Sequence, residues 1–121
     1  MRKIYYLSSC NTCLKILNQI NPSKFGFEIQ DIKNDQITPE QIDQMKKMAG
    51  SYEALFSKRA VLYTKMNLKE KILSEKEMRT LILKEYTFLK RPVILYDGQI
   101  FIGNAPKMIH QLLEIISKKQ D

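Results

Sequence analysis

The sequence predicts an α/β protein in which two small halves of strand and helix flank a helical block. Three observations predict it. The chain opens on a strand–helix–strand pattern, its middle carries two helix-start motifs, and its last third contains two short apolar runs joined by Asp97-Gly98. With 121 residues and a hydrophobic content of 44%, the chain is expected to form one domain over residues 1–121.

The first half reads as a βαβ unit. A continuous apolar run at residues 4–7 predicts a buried strand. Apolar side chains at a spacing close to 3.6 residues predict a helix over about 12–19. A second strand is predicted within residues 25–32, with Phe27, Ile29 and Asp31 as its alternating positions. Strand, helix and strand within about 30 residues indicate that the two strands are parallel.

The middle of the chain, residues 36–88, is predicted to be a helical insertion. Thr38 and Gln41 form a capping box at the start of one helix, with proline at its first helical position. Ser74 and Glu77 form a second capping box. Since no Gly/Ser-rich linker borders this block, we interpret it as an insertion and not as a separate domain.

The last third reads as a hairpin followed by a helix. Residues 92–96 and 99–102 are predicted strands, and Asp97-Gly98 between them is typical of a two-residue hairpin turn. The two strands are therefore expected to be antiparallel. A final helix is predicted around Pro106, which gives a four-stranded mixed sheet in all.

Two cysteines form a Cys-x-x-Cys pair where the first strand passes into the first helix. The unpaired N–H groups and partial positive charge of a helix N-terminus stabilise a thiolate such as that of Cys10. Cys13 lies one helical turn away and can reach Cys10 to form a disulfide. This motif, the order of the elements and the proline opening the third strand together predict a thioredoxin-like fold with redox or nucleophilic thiol chemistry.

Composition argues against several other classes of function. The net charge is +7, but the basic residues are scattered, so direct nucleic-acid binding is not expected. Zinc is not expected either, because besides the two cysteines the chain offers only His110 as a soft ligand. The apolar run near the N-terminus is too short for a signal peptide or a membrane span, so the expected location is a reducing cytoplasm without membrane attachment.

Four segments carry a resemblance to a known family: Cys10–Lys15, Ala54–Arg59, Leu89–Ile94 and Phe101–Asn104. On these segments the chain resembles, over nearly its whole length, the arsenate reductase / Spx (ArsC-like) family, which has a thioredoxin fold with a helical insertion. The resemblance implies that Cys10 is the catalytic or redox-sensing cysteine. It also implies that Arg91 lies close to Cys10 and that the Arg91–Pro92 bond is cis.

Further residues are candidates for binding an anion beside the cysteine. The guanidinium groups of Arg59 and Arg91 could hold an oxyanion and lower the pKa of the thiol, although Arg59 could equally be a surface arginine. The backbone N–H groups of Asn11 and Thr12 could cradle an anion, while their side chains are expected to cap the helix. Lys15 either adds positive potential or is plain solvated surface. The predicted catalytic residues are Cys10, Cys13 and Arg91, and the predicted substrate- or anion-binding residues are Asn11, Thr12, Lys15, Arg59 and Pro92.

Two hypotheses of function follow from the resemblance. The first is a thiol-dependent oxidoreductase similar to arsenate reductase, with Cys10 as nucleophile, Cys13 as resolving thiol and no bound cofactor. Its partners would be a small oxyanion or thiol substrate and a reductant, which is glutathione, glutaredoxin or thioredoxin. The alternative is a non-enzymatic, Spx-like regulator that binds the RNA polymerase alpha subunit under control of a Cys10–Cys13 switch. Gly103-Asn104, where arsenate reductases have an arginine, favours the second hypothesis, and the lack of an obvious partner-binding extension favours the first.

Overall fold

The computed structural model describes residues 1–119; the last two residues of the chain lie outside the description. The chain forms two compact units, one built from Met1–Asp35 with the segment from Arg91 onward, and the other from Gln36–Lys90. The second unit starts where the insertion was predicted to start and ends two residues beyond its predicted end at 88. That the whole chain acts as one domain stays a prediction.

The described elements of the first unit are strands and helices, and those of the second unit are helical. In chain order they are β1 (Arg2–Tyr6), α1 (Asn11–Ile20), β2 (Glu28–Asp31), α2 (Pro39–Ala49), α3 (Val61–Lys65), α4 (Glu75–Lys84), β3 (Val93–Tyr96), β4 (Gln99–Ile102) and α5 (Pro106–Lys119). Short 3₁₀ turns occur at Pro22–Phe25, Glu53–Leu55, Leu68–Glu70 and Tyr86–Phe88. None of the helices within residues 1–119 is both long enough and apolar enough to cross a membrane.

The first unit contains a four-stranded mixed sheet with strand order β2-β1-β3-β4. β1 and β2 are parallel, as expected of a βαβ unit, whereas β1 with β3 and β3 with β4 are antiparallel. The hairpin turn between β3 and β4 has positive φ at both Asp97 (46°) and Gly98 (90°). Asp-Gly is the dipeptide that such a turn favours, so the predicted hairpin and the mixed sheet are confirmed.

One hydrophobic cluster of this unit lies on one face of the sheet. Ile4, Ile94 and Phe101 are neighbours across β1, β3 and β4, so their side chains point to the same side. The helical spacing of the apolar residues in α1 and α5 gives each helix one apolar stripe that packs on this row. The core residues contributed by the two helices are Ile16, Ile20, Ile109, Leu112 and Ile116.

The second strand is shorter than predicted. Phe25 ends a 3₁₀ turn and Gly26 has a φ of 72°, so the chain turns there and pairs with β1 only from Glu28 onward. Ile29 is 51% exposed because β2 is the edge strand of the sheet. The buried position of the strand is the polar Gln30, whose side-chain amide donates to the carbonyl of Asp35 over 3.0 Å.

The second unit contains the two predicted capping boxes, and both are confirmed. In α2, the N–H of Gln41 donates to Thr38 Oγ1 and the N–H of Thr38 donates to Gln41 Oε1, each over 3.1 Å. Ser74 and Glu77 make the same reciprocal pair at the start of α4, also over 3.1 Å. Each box satisfies two N–H groups that the first turn of a helix leaves unpaired, which is why both helices start where the sequence predicts.

Two side-chain contacts, among others, link segments of this unit that are far apart in sequence. Asp43 of α2 accepts hydrogen bonds from Arg79 Nε of α4 over 2.8 Å and from the Tyr52 hydroxyl over 2.6 Å. The ring of Phe56 stacks on that of Phe88 with 5.2 Å between ring centroids. The hydroxyl and guanidinium of these partners lower the pKa of the Asp43 carboxyl to about 2, the hydrogen bond from Arg79 being the largest cause.

An ionic cluster joins β1, the hairpin turn and α5 at one end of the first unit. Arg2 donates from Nε and Nη2 to the two carboxylate oxygens of Asp97 over 3.1 and 3.0 Å, and Lys119 Nζ donates to Asp97 over 2.9 Å. The hydrogen bond from Arg2, followed by that from Lys119, holds the pKa of the Asp97 carboxyl well below its usual range.

Replacement of Asp97 by asparagine is expected to lower the melting temperature at pH 7, because Arg2 and Lys119 lose their shared counter-charge. Since the folded-state pKa is depressed, this stabilisation is present above the unfolded-state pKa of about 3.9 and is lost as pH falls through the folded value. Thermal unfolding of Asp97→Asn and wild type at pH 7 and at lower pH measures it. Glu114→Gln, which removes the exposed i,i+4 pair with Lys118 at 3.7 Å, is the control and should change little. Equal effects of the two substitutions would contradict the prediction.

Candidate active site

Cys10 is the N-cap residue of α1 and follows the turn at the end of β1. Its N–H donates to the carbonyl of Leu7 over 3.0 Å, and its own carbonyl accepts from the N–H of Leu14 over 3.1 Å. The backbone of Cys10 is therefore held from both sides. Its thiol lies at the positive end of the α1 dipole, where an anion is stabilised.

The surroundings of Cys10 lower the pKa of its thiol. Partial burial acts in the opposite direction and is the largest single effect, but four groups together outweigh it: the N–H and the thiol of Cys13, the charge of Arg91 and the N–H of Thr12. The sulfur makes no capping hydrogen bond of regular geometry, yet these N–H groups lie close enough to favour its anion. Because the thiolate is the nucleophilic form, Cys10 is expected to be the more reactive of the two thiols.

Cys13 differs from Cys10 in burial and in protonation. Its side chain is fully buried, and burial, helped by the hydrogen bond and the charge of Cys10, raises the pKa of its thiol to about 11. Neither cysteine forms a disulfide within the described residues. The pair therefore combines a partly exposed thiol whose pKa is lowered with a buried thiol whose pKa is raised.

Arg91 lies beside the cysteines, as the resemblance implies. It directly precedes β3, its positive charge lowers the pKa of both thiols, and its peptide bond to Pro92 is cis. Pro92 is buried, and its carbonyl accepts the N–H of Gly103 over 2.9 Å, which ties the start of β3 to the end of β4. The structure thus brings Cys10, Cys13 and Arg91 together in one unit.

The side chains of Asn11 and Thr12 do not cap the helix, so that expectation is wrong. The turn before Cys10 leaves Cys10 itself extended, with φ −102° and ψ 110°, and Asn11 is already the first helical residue. A capping side chain must belong to the residue before the helix. Asn11, Thr12 and Lys15 are exposed on the first turns of α1. Their part in binding a substrate stays a prediction.

Arg59 belongs to the second unit, where it is exposed in the turn before α3. Its predicted role in holding an anion at Cys10 therefore also stays a prediction. Metal ligands do not converge in this protein: no three His, Cys, Asp or Glu side chains among residues 1–119 are grouped so that they could hold an ion.

One residue of the site was missed from the sequence. Asp31, at the end of β2, accepts hydrogen bonds from the Ser8 hydroxyl over 2.6 Å and from the Ser8 N–H over 3.3 Å. Asn34 Nδ2 donates to the same carboxylate over 2.8 Å. The hydrogen bond from the Ser8 hydroxyl is the main cause of the lowered pKa of Asp31. Asp31 therefore holds the turn that leads into Cys10. Its position at the end of a strand in a βαβ unit was the sequence signal that could have identified Asp31.

Replacement of Asp31 by alanine is expected to loosen the turn before Cys10, because Ser8 loses both of its bonds to the carboxylate. Amide hydrogen exchange at residues 8–10 should become several-fold faster, while exchange in the core strands changes little. Asp35→Ala, which removes a carboxylate from the next turn without removing a bond to Ser8, is the matched control. The role assigned to Asp31 fails if the two variants exchange alike at these residues.

Comparison with known proteins identifies the family to which the chain is related. The model of the ArsC family matches residues 5–112. The global transcriptional regulator Spx of Staphylococcus epidermidis is 24% identical over 114 residues, which are 93% of this chain and 87% of the relative. The fold is similar to that of an arsenate reductase from Vibrio cholerae, with a TM-score of 0.75 at 18% identity over 94% of this chain and 96% of that one.

A further solved structure, of an ArsC-family-related protein from Bacteroides fragilis, has a TM-score of 0.76 at 20% identity over 92% of this chain and 97% of that one. At these identities the solved structures establish the shared thioredoxin-like fold alone. The family model, in contrast, spans most of the sequence, including Cys10, Cys13 and Arg91. The chain therefore belongs to the ArsC family.

Proposed function

We propose that this protein is a thiol-dependent reductase similar to the arsenate reductases, with Cys10 as its nucleophile. The observation that carries the proposal is the position of Cys10 at the N-terminus of α1, where the N–H and thiol of Cys13, followed by the charge of Arg91, lower the pKa of its thiol. A structural cysteine has no need of such an environment, whereas a nucleophile does.

The proposed substrate is a small oxyanion such as arsenate. The N–H groups in the first turn of α1, at Asn11, Thr12 and Cys13, suit an anion beside the Cys10 sulfur. Arg91 supplies the charge that holds it, and Lys15 and Arg59 are proposed to add positive potential. Pro92 is proposed to shape the wall of the site next to Arg91.

The reaction proceeds in two steps that together transfer two electrons. The Cys10 thiolate attacks arsenic(V), a sulfur–arsenic bond forms, and one arsenate oxygen leaves as water. A second thiol then attacks the Cys10 sulfur, so that a disulfide forms, the sulfur–arsenic bond breaks, and its electron pair stays on arsenic(III). One arsenate and two thiols thus give one arsenite, one disulfide and one water.

The second thiol is Cys13 or an external thiol. Cys13 lies one turn from Cys10 and interacts with it, but its raised pKa leaves little of the attacking thiolate at neutral pH. The thiol of glutathione is free in solution, so burial does not raise its pKa. In either case the disulfide is reduced by glutathione with glutaredoxin or by thioredoxin, in the reducing cytoplasm, and no bound cofactor is needed.

The test is NADPH consumption on addition of arsenate, run with two reducing systems. One contains glutathione, glutaredoxin and glutathione reductase, and the other contains thioredoxin and its reductase. We expect arsenate-dependent consumption in at least one mixture. Absence of turnover in both would refute the proposed activity with arsenate.

A regulator of the Spx kind is the second candidate. The observations that favour it are the Spx relative with 24% identity and the second cysteine, which gives a dithiol able to switch to a disulfide. The proposed partner is the alpha subunit of RNA polymerase. Purified alpha subunit should bind the protein in one redox state and not in the other; failure to bind in both states would exclude this function.

A further inference from the structure

Two sulfur atoms lie side by side at the start of α1. Cys10 is the N-cap residue of this helix and Cys13 is its third residue, a spacing that places two side chains on the same face of a helix. The Cys13 thiol donates a hydrogen bond to the Cys10 sulfur, so the two sulfur atoms are within hydrogen-bonding distance of each other. A single ligand atom that bonds to both sulfurs is therefore compatible with the observed course of the backbone.

The buried sulfur of this pair has polar neighbours on the side of the active site. Cys13 is fully buried, but its sulfur meets the N–H of Leu7 and the charge of Arg91 as well as the other thiol. Cys10 is partly exposed to solvent. A ligand that arrives from solvent would therefore bond first to Cys10 and then to Cys13.

A pair of thiols one helical turn apart favours a particular class of ligand. Thiolates are soft ligands and bind soft elements. Zinc takes four ligands in structural sites, so it would need two more besides these sulfurs. Trivalent arsenic is also soft, but it forms only three bonds and can keep one oxygen or carbon substituent of its own. Two protein sulfurs are therefore enough to complete its coordination.

We propose that the Cys10–Cys13 dithiol binds trivalent arsenic compounds, with one arsenic atom bonded to both sulfur atoms. Arsenite exchanges two of its hydroxyl groups for the two sulfurs and keeps the third. Two sulfur–arsenic bonds form, two arsenic–oxygen bonds break and, counted from two protonated thiols, two water molecules leave. Arsenic stays trivalent and neither sulfur is oxidised.

Arsenite is also the product of the proposed reduction. Its assignment as the natural ligand of the dithiol, and the product inhibition that follows, therefore rest on the proposed function. The binding of a trivalent arsenical as such does not, because it needs only the two reduced sulfurs and no turnover.

The experiment uses the whole reduced protein, without arsenate or a reducing system, and phenylarsine oxide as the probe. This compound exchanges its oxygen for two sulfurs with loss of one water molecule. After incubation with an equimolar amount, alkylation of Cys10 by iodoacetamide is followed by mass spectrometry, which also distinguishes the arsenic adduct from a disulfide. We expect protection of Cys10 that excess 2-mercaptoethanol leaves intact and that 2,3-dimercaptopropanol reverses, because a monothiol cannot match two linked bonds.

Variants at the second sulfur separate binding at two sulfurs from binding at one. Cys13→Ser and Cys13→Ala should bind the probe about a hundredfold more weakly, the order of gain that a second linked contact supplies, and 2-mercaptoethanol should remove it from them. Ser9→Ala, at an exposed position beside Cys10, keeps both sulfurs and is the matched control, which should behave as wild type. Circular dichroism checks the folding of the Cys13 variants. If both unfold, the comparison of the two competing thiols on wild type decides.

Three outcomes would overturn the proposal: no arsenic adduct on wild type, an adduct that 2-mercaptoethanol removes from wild type, or an adduct on either Cys13 variant that resists this monothiol. The assignment of arsenite fails if excess sodium arsenite does not protect Cys10 in wild type. Adduct formation as expected, without turnover of arsenate, would support the dithiol site and refute the proposed reductase. Turnover of arsenate with an adduct that 2-mercaptoethanol removes would support the reductase and overturn the dithiol site.

Discussion

Replacement of Cys10 by serine is expected to abolish arsenate-dependent NADPH consumption, a loss of at least about a thousandfold, because Cys13, the other thiol, is buried and its raised pKa keeps it protonated. A serine hydroxyl at the same N-cap would not ionise near neutral pH, so the helix N-terminus and Arg91 would have no anion to stabilise. Serine is a preferred N-cap residue, so α1 should remain intact. The measurement compares the initial rates of wild type and Cys10→Ser in the two reducing mixtures, with circular dichroism as the check on folding.

The Cys13→Ser variant is the informative comparison for the loss of activity expected in Cys10→Ser. If Cys13 resolves the adduct, its replacement should stop turnover supported by thioredoxin, because no disulfide can form within the chain. Turnover supported by glutathione and glutaredoxin can continue, since an external thiol then attacks the Cys10 sulfur. An active Cys10→Ser protein would rule out the proposed nucleophile, whereas an unaffected Cys13→Ser protein would remove only Cys13 from the mechanism.

The features predicted correctly from the sequence are those whose chemistry is local. The capping box of Thr38 and Gln41 acts over three residues, and the Asp97-Gly98 turn needs positive φ at two adjacent positions. The position of Cys10 before a helix follows from the same kind of short-range pattern. Within a few residues, the backbone conformation is closely tied to the side-chain types that suit it. Such a motif can therefore be predicted without knowledge of the rest of the chain.

The features that escaped prediction depend on residues far apart in the chain. Ile29 is exposed because β2 is the edge of the sheet, and strand order is a property of the whole unit. Asp31 reaches Ser8 across 23 positions, and Arg2 reaches Asp97 across 95. The periodicity of apolar residues and the capping motifs carry no information about pairs of residues so far apart in the chain. The family resemblance, which includes the whole fold, was what placed Arg91 beside Cys10.

The two cysteines are expected to differ by about a hundredfold or more in their rates of alkylation at pH 7. The pKa of Cys10 lies below the ordinary thiol value and that of Cys13 is about 11. At pH 7 the fraction present as thiolate is therefore at least about a hundredfold smaller at Cys13 than at Cys10. The higher basicity of the Cys13 thiolate offsets part of this difference, but its complete burial, which blocks the reagent, adds to it. Iodoacetamide should therefore modify wild type once, at Cys10, and should leave Cys10→Ser nearly unmodified.

The pH dependence of this reaction tests the role of Arg91. Because positive charge at Arg91 lowers the pKa of Cys10, Arg91→Ala should move the midpoint of the rate–pH profile to higher pH and slow alkylation at pH 7. In Arg91→Lys the midpoint should return part of the way to the wild-type value, since lysine keeps the charge without the planar guanidinium. Lys118→Ala removes one exposed positive charge near the end of α5 and is the control for net charge. A midpoint that Arg91→Ala and Lys118→Ala shift equally would mean that the overall charge of the protein, and not a charge placed beside Cys10, sets the reactivity of this thiol.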